Sequence, residues 1–336
     1  MQEFNLDDKN IIEERIQRLL AFSNVNVLIG SAFSLPVLRT LANIEKRLTE
    51  AINNGDKTKE YEVKKEFFEG SIFPLFDLKL DDERLDDKKE FIKLLVDIVN
   101  IRDSASANKI INIFTTNYDN IIELSLENSS INYIDGFSGR TNPIFSTKNY
   151  GKSIGKLNLL TRRIKEEASV NLYKIHGSLY WKKNKDDIIF EDYHNKLELI
   201  NNCKDQNEFL DAYNNNLIII NPEESKYNST VMNLNYYDQM RMFTNELDSS
   251  NTILITYGFS FDDLHIYKQV ENALHANQTL ILLLFPYSND DLTKFRNKFK
   301  DNNNVYCFYR KIDSDIKEFS IKEINEILLE VYNAIK

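Results

Sequence analysis

Short apolar runs alternate along this chain with stretches whose apolar residues recur at helical spacing. Val25-Asn26-Val27-Leu28-Ile29 closes at Gly30 and predicts a strand entering a tight turn. Similar runs at Ile110–Phe114, Leu172–Ile175, Leu217–Ile220, Ile253–Tyr257, Thr279–Phe285 and Val305–Tyr309 predict further strands. Between them lie helical faces. Ile11, Ile12, Ile16, Leu19 and Leu20 make one, after a cap at Asp7 or Asp8. Phe91, Ile92, Leu94, Leu95, Ile98 and Val99 make a second, and Tyr236, Met240, Phe243 and Leu247 a third. A helix is expected from Pro36 through Glu50, because proline is favoured in a first helical turn. Others are expected to about Glu127, through Leu274, from about Asn289 and at the end of the chain. Fully apolar strands alternating with helices predict an α/β fold, with a mostly parallel sheet and helices on both faces.

The chain has 336 residues, and the elements run through it without a low-complexity linker or internal repeat. A single domain over 1–336 is expected, with a charged helical insertion at 53–103. A second, irregular insertion is expected at 130–215, where Gly136, Gly139, Gly151 and Gly155 mark loops.

Composition narrows the function. A net charge of -10 argues against a general nucleic-acid surface, which needs clustered Lys and Arg. The stretch from Arg140 to Lys165 is locally basic, and reads as a solvated loop or as an attractor of a phosphate-bearing ligand. Two cysteines, Cys203 and Cys307, cannot form a four-thiolate zinc site, and no histidine pair has metal spacing, so no metal is expected. The first ten residues lack the basic and apolar regions of a signal peptide, and the apolar run near Leu280–Phe285 is too short to cross a bilayer. A soluble, cytoplasmic protein without membrane contact is the expectation.

Ligands of open parallel sheets sit at the carboxyl ends of the strands. Four expected strands end in segments able to do chemistry. Gly30-Ser31-Ala32-Phe33-Ser34 offers a sharp turn and backbone amides to a phosphate, or is a plain strand-to-helix turn. It carries neither the P-loop Gly-Lys-Ser/Thr nor the three-glycine dinucleotide fingerprint. Thr115-Thr116-Asn117-Tyr118-Asp119 supplies hydroxyls, an amide and a carboxylate to a ribose or a water, or caps a helix. His176, before Gly177-Ser178, is either a general base or a satisfied core histidine. Gly258-Phe259-Ser260-Phe261-Asp262 is the fourth segment. His265 reads as structural, and His194 and His275 have no supporting context.

Taken together and in this order, the segments resemble the sirtuin-like superfamily, and more closely its bacterial antiphage-defence branch. Thr115–Asp119 is similar to that branch's signature, Lys174-Ile175-His176-Gly177-Ser178 to its active-site histidine segment, and Tyr257–Asp263 to its late glycine-serine element. The resemblance implies a Rossmann-like fold that takes NAD as substrate and breaks the nicotinamide–ribose bond, giving nicotinamide and ADP-ribose. It implies Asn117, Asp119 and His176 as catalytic residues. Gly30, Ser31 and Ser34 would then lie near the pyrophosphate, Asn117 and Asp119 would face the nicotinamide ribose, and Gly258 and Ser260 would line the adenosine side, with Ala32 and Thr116 also among the cofactor-binding residues. It also implies a homo-oligomer paired with a HerA-type ring ATPase, for which 53–103 is either the contact surface or a solvated cover. There are two departures from the pattern. The missing four-cysteine ribbon favours NAD hydrolysis over protein deacylation. Ala32 stands where glycine is usual, which disfavours positive φ and adds a methyl near the expected phosphate. A weakly active NAD- or ADP-ribose-binding scaffold, and a zinc-free deacylase or ADP-ribosyltransferase, are the alternatives.

Overall fold

The computed structural model describes residues 1–8, 10–40, 44–102, 108–185, 187–219, 230–312, 315–316 and 318–336. Among them, eight strands form one central sheet: β1 (Gln2–Asn5), β2 (Asn24–Ile29), β3 (Ile110–Thr115), β4 (Tyr133–Ile134), β5 (Ser169–Lys174), β6 (Thr252–Tyr257), β7 (Leu280–Leu284) and β8 (Val305–Tyr309). Their order is β1-β8-β7-β6-β2-β3-β5-β4, and each of these pairings is parallel. The fold is the expected Rossmann-like α/β architecture.

Alternation along the strands gives the sheet two apolar faces. Val25, Val27, Ile29, Ile111, Ile113, Val170 and Leu172 point to one, with Ile253 and Ile255. There they meet α1 (Arg18–Phe22), α4 (Asp86–Ile101), α5 (Ile121–Asn128) and α11 (Ile321–Ile335). α2 (Ile44–Asn53), α3 (Lys57–Ser71), α6 (His194–Asn201) and α7 (Gln206–Asn216) extend that layer. Leu28, Phe114, Tyr173, Leu254, Leu282 and Cys307 point to the other face, under α8 (Thr230–Asp248), α9 (Leu264–Ala276) and α10 (Asn289–Phe299). Burial on both sides is why the strands read as continuous apolar runs.

One polar line crosses this interior. Asn26, Asn112 and Asn171 lie in register on β2, β3 and β5. Asn112 Nδ2 donates to Asn26 Oδ1 at 2.9 Å and to Glu246 Oε2 on α8 at 3.0 Å, and Asn171 Nδ2 donates to Asn112 Oδ1 at 2.9 Å. A one-residue slip would turn these amides into the opposite apolar layer, so the ladder helps to fix register.

Two local expectations are corrected. The helix anticipated from Pro36 begins at Ile44, although residues 41–43 lie outside the described set. Leu35 is extended at φ -68 and ψ 146, the conformation a residue before proline prefers, and Arg39 N donates to Gly70 O instead of entering a helix. Leu217–Ile219 form no strand: Ile219 makes one isolated bridge to Gly177, and Ile220, Asn221 and Pro222 lie outside the described residues. In the 53–103 block, α4 turns Phe91, Ile92, Leu95, Ile98 and Val99 into the core, whereas Asp103 is not described. Within 130–215 a small antiparallel sheet forms from Phe137–Ser138, Ile144–Phe145, Trp181–Asn184 and Asp187–Phe190. A separate hairpin, Ile154–Leu157 with Ile164–Glu167, leaves Leu159 and Leu160 exposed. Among the described residues no helix is long and apolar enough to cross a membrane.

Candidate active site

Register brings the four segments to one level. Tyr257 pairs with Ile29, Ile29 with Thr115, and Thr115 with Lys174, so β6, β2, β3 and β5 end side by side. The backbone ladder runs on past their ends: Gly30 N donates to Tyr257 O at 3.0 Å, Thr116 N to Ile29 O at 3.3 Å, and Ile175 N to Thr115 O at 2.9 Å. From β2 the chain proceeds to β3, β4 and β5 on one side, and later returns to β6 on the other. The seam between β2 and β6 is thus the topological switch point, where open α/β sheets hold their ligands.

Two glycines line this seam. A Cβ on Gly30 would lie 2.3 Å from Gly258 O and 2.8 Å from Phe259 Cα, so the close approach requires glycine at position 30. Gly258 is left-handed at φ +67. A Cβ there would lie 2.9 Å from the Ala32 methyl and 2.9 Å from Phe33 N. Ala32 itself sits in the 3-10 turn Ser31–Ser34, outside the positive-φ region, so alanine brings no backbone strain. Its methyl faces Gly258.

Behind the seam lies a buried polar cluster. Asn117 Nδ2 donates to Gly30 O at 3.0 Å and to Ser34 Oγ at 2.9 Å. Ser34 Oγ donates in turn to Asp119 Oδ2 at 2.6 Å, while Asp119 Oδ1 accepts from Ile121 N at 3.0 Å. Thr115 Oγ1 donates to Ile29 O and accepts from Asn117 N. Asn117 and Asp119, read from sequence as either catalytic residues or helix caps, thus serve first to join the β2 and β3 loops. Deeper still, Lys174 Nζ contacts Asp119 O and lies 3.1 Å from Glu123 Oε1. Burial pushes the Glu123 carboxyl up to about 7, against the pull of that ammonium.

The solvent-facing groups around the cluster are Ser31 and Ser260, which are exposed, and Ala32, Thr116, His176 and Gly258, which are partly so. Gly30, Ser34, Asn117 and Asp119 are buried. His176 Nε2 lies 3.2 Å from Asp263 Oδ2, bringing the loops after β5 and β6 together. The sequence reading did not select Asp263. It caps α9 through Oδ1, and an aspartate before a helix carries no further signal in sequence.

The family model for the SIR2-like domain matches residues 111–308, more than half of the chain. This chain belongs to the SIR2-like family. The match runs from β3 through most of β8 and so takes in three of the four strand-end segments; the fourth, at Gly30, precedes it. A comparison with curated proteins found no match. SIR2-like domains are NAD-dependent enzymes with NAD as substrate. The seam itself has a glycine-tight turn with exposed serines on either side, and the buried Asn117 is bonded to Gly30 and Ser34.

Proposed function

We propose that this chain is an NAD glycohydrolase, giving nicotinamide and ADP-ribose. The observation that carries the reading is the Ser34–Asn117–Asp119 cluster directly behind the β2–β6 seam, on the edge where His176 also emerges. Both N–H groups of Asn117 are engaged by Gly30 O and Ser34 Oγ, so its carbonyl oxygen is what it offers to a ribose hydroxyl or to water. Asp119 supplies negative charge where the ribose carbon becomes electron-poor as nicotinamide departs. His176 takes the proton of the attacking water or of a ribose hydroxyl, an effect worth about 10²–10⁴ in rate for a positioned base. Ser31, Ala32 and Ser260 flank the seam on the phosphate and adenosine sides, with Thr116 towards the ribose. Two cysteines cannot make the zinc ribbon of protein-deacylating relatives, which supports hydrolysis.

The strand-end motifs also support a place in the antiphage-defence branch, as a cytoplasmic homo-oligomer working with a HerA-type ring ATPase. Within the helical block, α3 buries Val63, Phe67 and Phe68 on one face and turns its other face outward. There Tyr61, Glu62, Lys65, Glu66 and Glu69 line a cleft with Arg39, and this is our candidate contact surface.

The test is to incubate the purified chain with NAD, alone and with the ATPase, and to analyse the products. Nicotinamide with ADP-ribose, lost in Asn117→Ala and in His176→Ala while both variants stay folded, supports hydrolysis. NAD binding without nicotinamide release replaces it with a binding scaffold. Dependence on an acylated peptide, or labelling of protein, replaces it with acyl or ADP-ribosyl transfer.

A further inference from the structure

We propose that Asp263 is a positioning residue for His176, offsetting the charge the ring acquires when it accepts a proton. The inference rests on the reading of His176 as the base. The order β6-β2-β3-β5 places two strands between the origins of these residues, yet His176 Nε2 and Asp263 Oδ2 meet at 3.2 Å. Both side chains are nearly enclosed, 12% and 10% exposed, where an ionic contact is weakly screened.

The carboxylate is held from behind. Its Oδ1 accepts from His265 N at 3.0 Å and Ile266 N at 3.4 Å, which caps α9 and directs Oδ2 to the imidazole. α9 is anchored in the core by Ile266, Val270, Ala273 and Leu274. The loop before it is fixed too. Phe261 adopts φ +58, costly for a residue with a side chain, and its ring is buried against Phe295 and Phe299. Lys298 Nζ donates to Phe261 O at 2.7 Å, and Lys294 holds Asp262 at 2.6 Å. The Tyr236 ring of α8 also stands near His176, 6.4 Å away between centroids.

The 3.2 Å approach is an ion-pair contact that is not aligned as a hydrogen bond, so what the carboxylate supplies at Nε2 is charge. The same carboxylate then stabilises the imidazolium, the part an aspartate plays behind a catalytic histidine in other enzymes. A capping role alone would require only Oδ1.

Asp263→Asn separates the two roles. Asparagine caps helices as well as aspartate does, but it brings no charge and can present N–H to Nε2. The probe is nitrogen-15 NMR of the four imidazoles in the full-length chain, with His176→Ala to assign the signal. Asp263→Asn should lower the His176 pKa by about one unit or more while thermal stability stays near wild type. An unchanged His176 pKa in the variant would overturn the proposal, whether or not the protein cleaves NAD. If it does, kcat should fall about 10²–10⁴-fold with KM little changed, and Asp263→Glu should recover part of the loss. A wild-type kcat in Asp263→Asn would dismiss the positioning role and leave the hydrolase reading standing. Absence of turnover in the wild type would dismiss hydrolysis and leave the NMR result to decide on Asp263.

Discussion

The hydroxyl of Ser34 donates to the carboxylate of Asp119 at 2.6 Å, across 85 positions of chain and with both residues buried. The same oxygen accepts from Asn117. One serine thus connects the amide and the carboxylate on which the proposed chemistry depends.

Ser34→Ala should therefore weaken fold and site together. It removes a donor from Asp119 and an acceptor from Asn117, and a buried group left without its partner costs about 1–3 kcal/mol. Urea unfolding should show a loss in that range, and NAD turnover should fall in protein that remains folded. A neutral result on both counts would mean that the cluster repairs itself with water.

Gly30→Ala tests the seam. The added methyl would lie 2.3 Å from Gly258 O, a backbone atom that cannot swing aside, so β2 and β6 must part at their carboxyl ends. The expected cost is about 1–3 kcal/mol, as for other overpacked sites. Titration calorimetry with ADP-ribose should show binding weakened well beyond the change in stability.

Asn112 holds the centre of the amide ladder, with Asn26, Asn171 and Glu246 as partners. Asn112→Leu should destabilise more than Asn26→Leu or Asn171→Leu, since it strands three polar neighbours at about 1–3 kcal/mol each before relaxation. Parallel denaturant curves of the three variants give the ranking, and equal effects would deny the centre its special place.

Glu123 predicts a pH dependence. Its carboxyl is raised from 4.5 to about 7 by burial, so between those values the folded chain holds a proton that the unfolded chain has released. Its contribution is complete below about 4.5 and is lost as pH rises through about 7, at up to about 1.4 kcal/mol per pH unit. Stability measured at pH 5, 6 and 7 should decline less steeply in Glu123→Gln than in the wild type. Identical slopes would show that Glu123 ionises normally in the fold.

The long buried strands were legible because burial on both faces leaves an unbroken apolar run, as at Val25–Ile29 and Ile253–Tyr257. β1 was not, because an edge strand with one partner keeps Gln2 and Glu3 exposed and reads as a polar terminus. The two-residue strands at Phe137 and Ile144 are too short to have a period. The strand-end motifs could be read locally, yet their convergence is set by register. The reach of His176 to Asp263 depends on two loops 87 positions apart, for which no local pattern exists.

Because Tyr257, Ile29, Thr115 and Lys174 stand abreast, the reacting groups take their spacing directly from the sheet's hydrogen-bond lattice. Sliding any one strand by a single residue would carry its loop about 3.3 Å along the axis and turn its side chains over. The hairpin around Leu159 and Leu160, outside that lattice, could be lengthened or trimmed with far less effect. Tolerance to insertion in this molecule should thus follow distance from the strand grid more than distance from solvent.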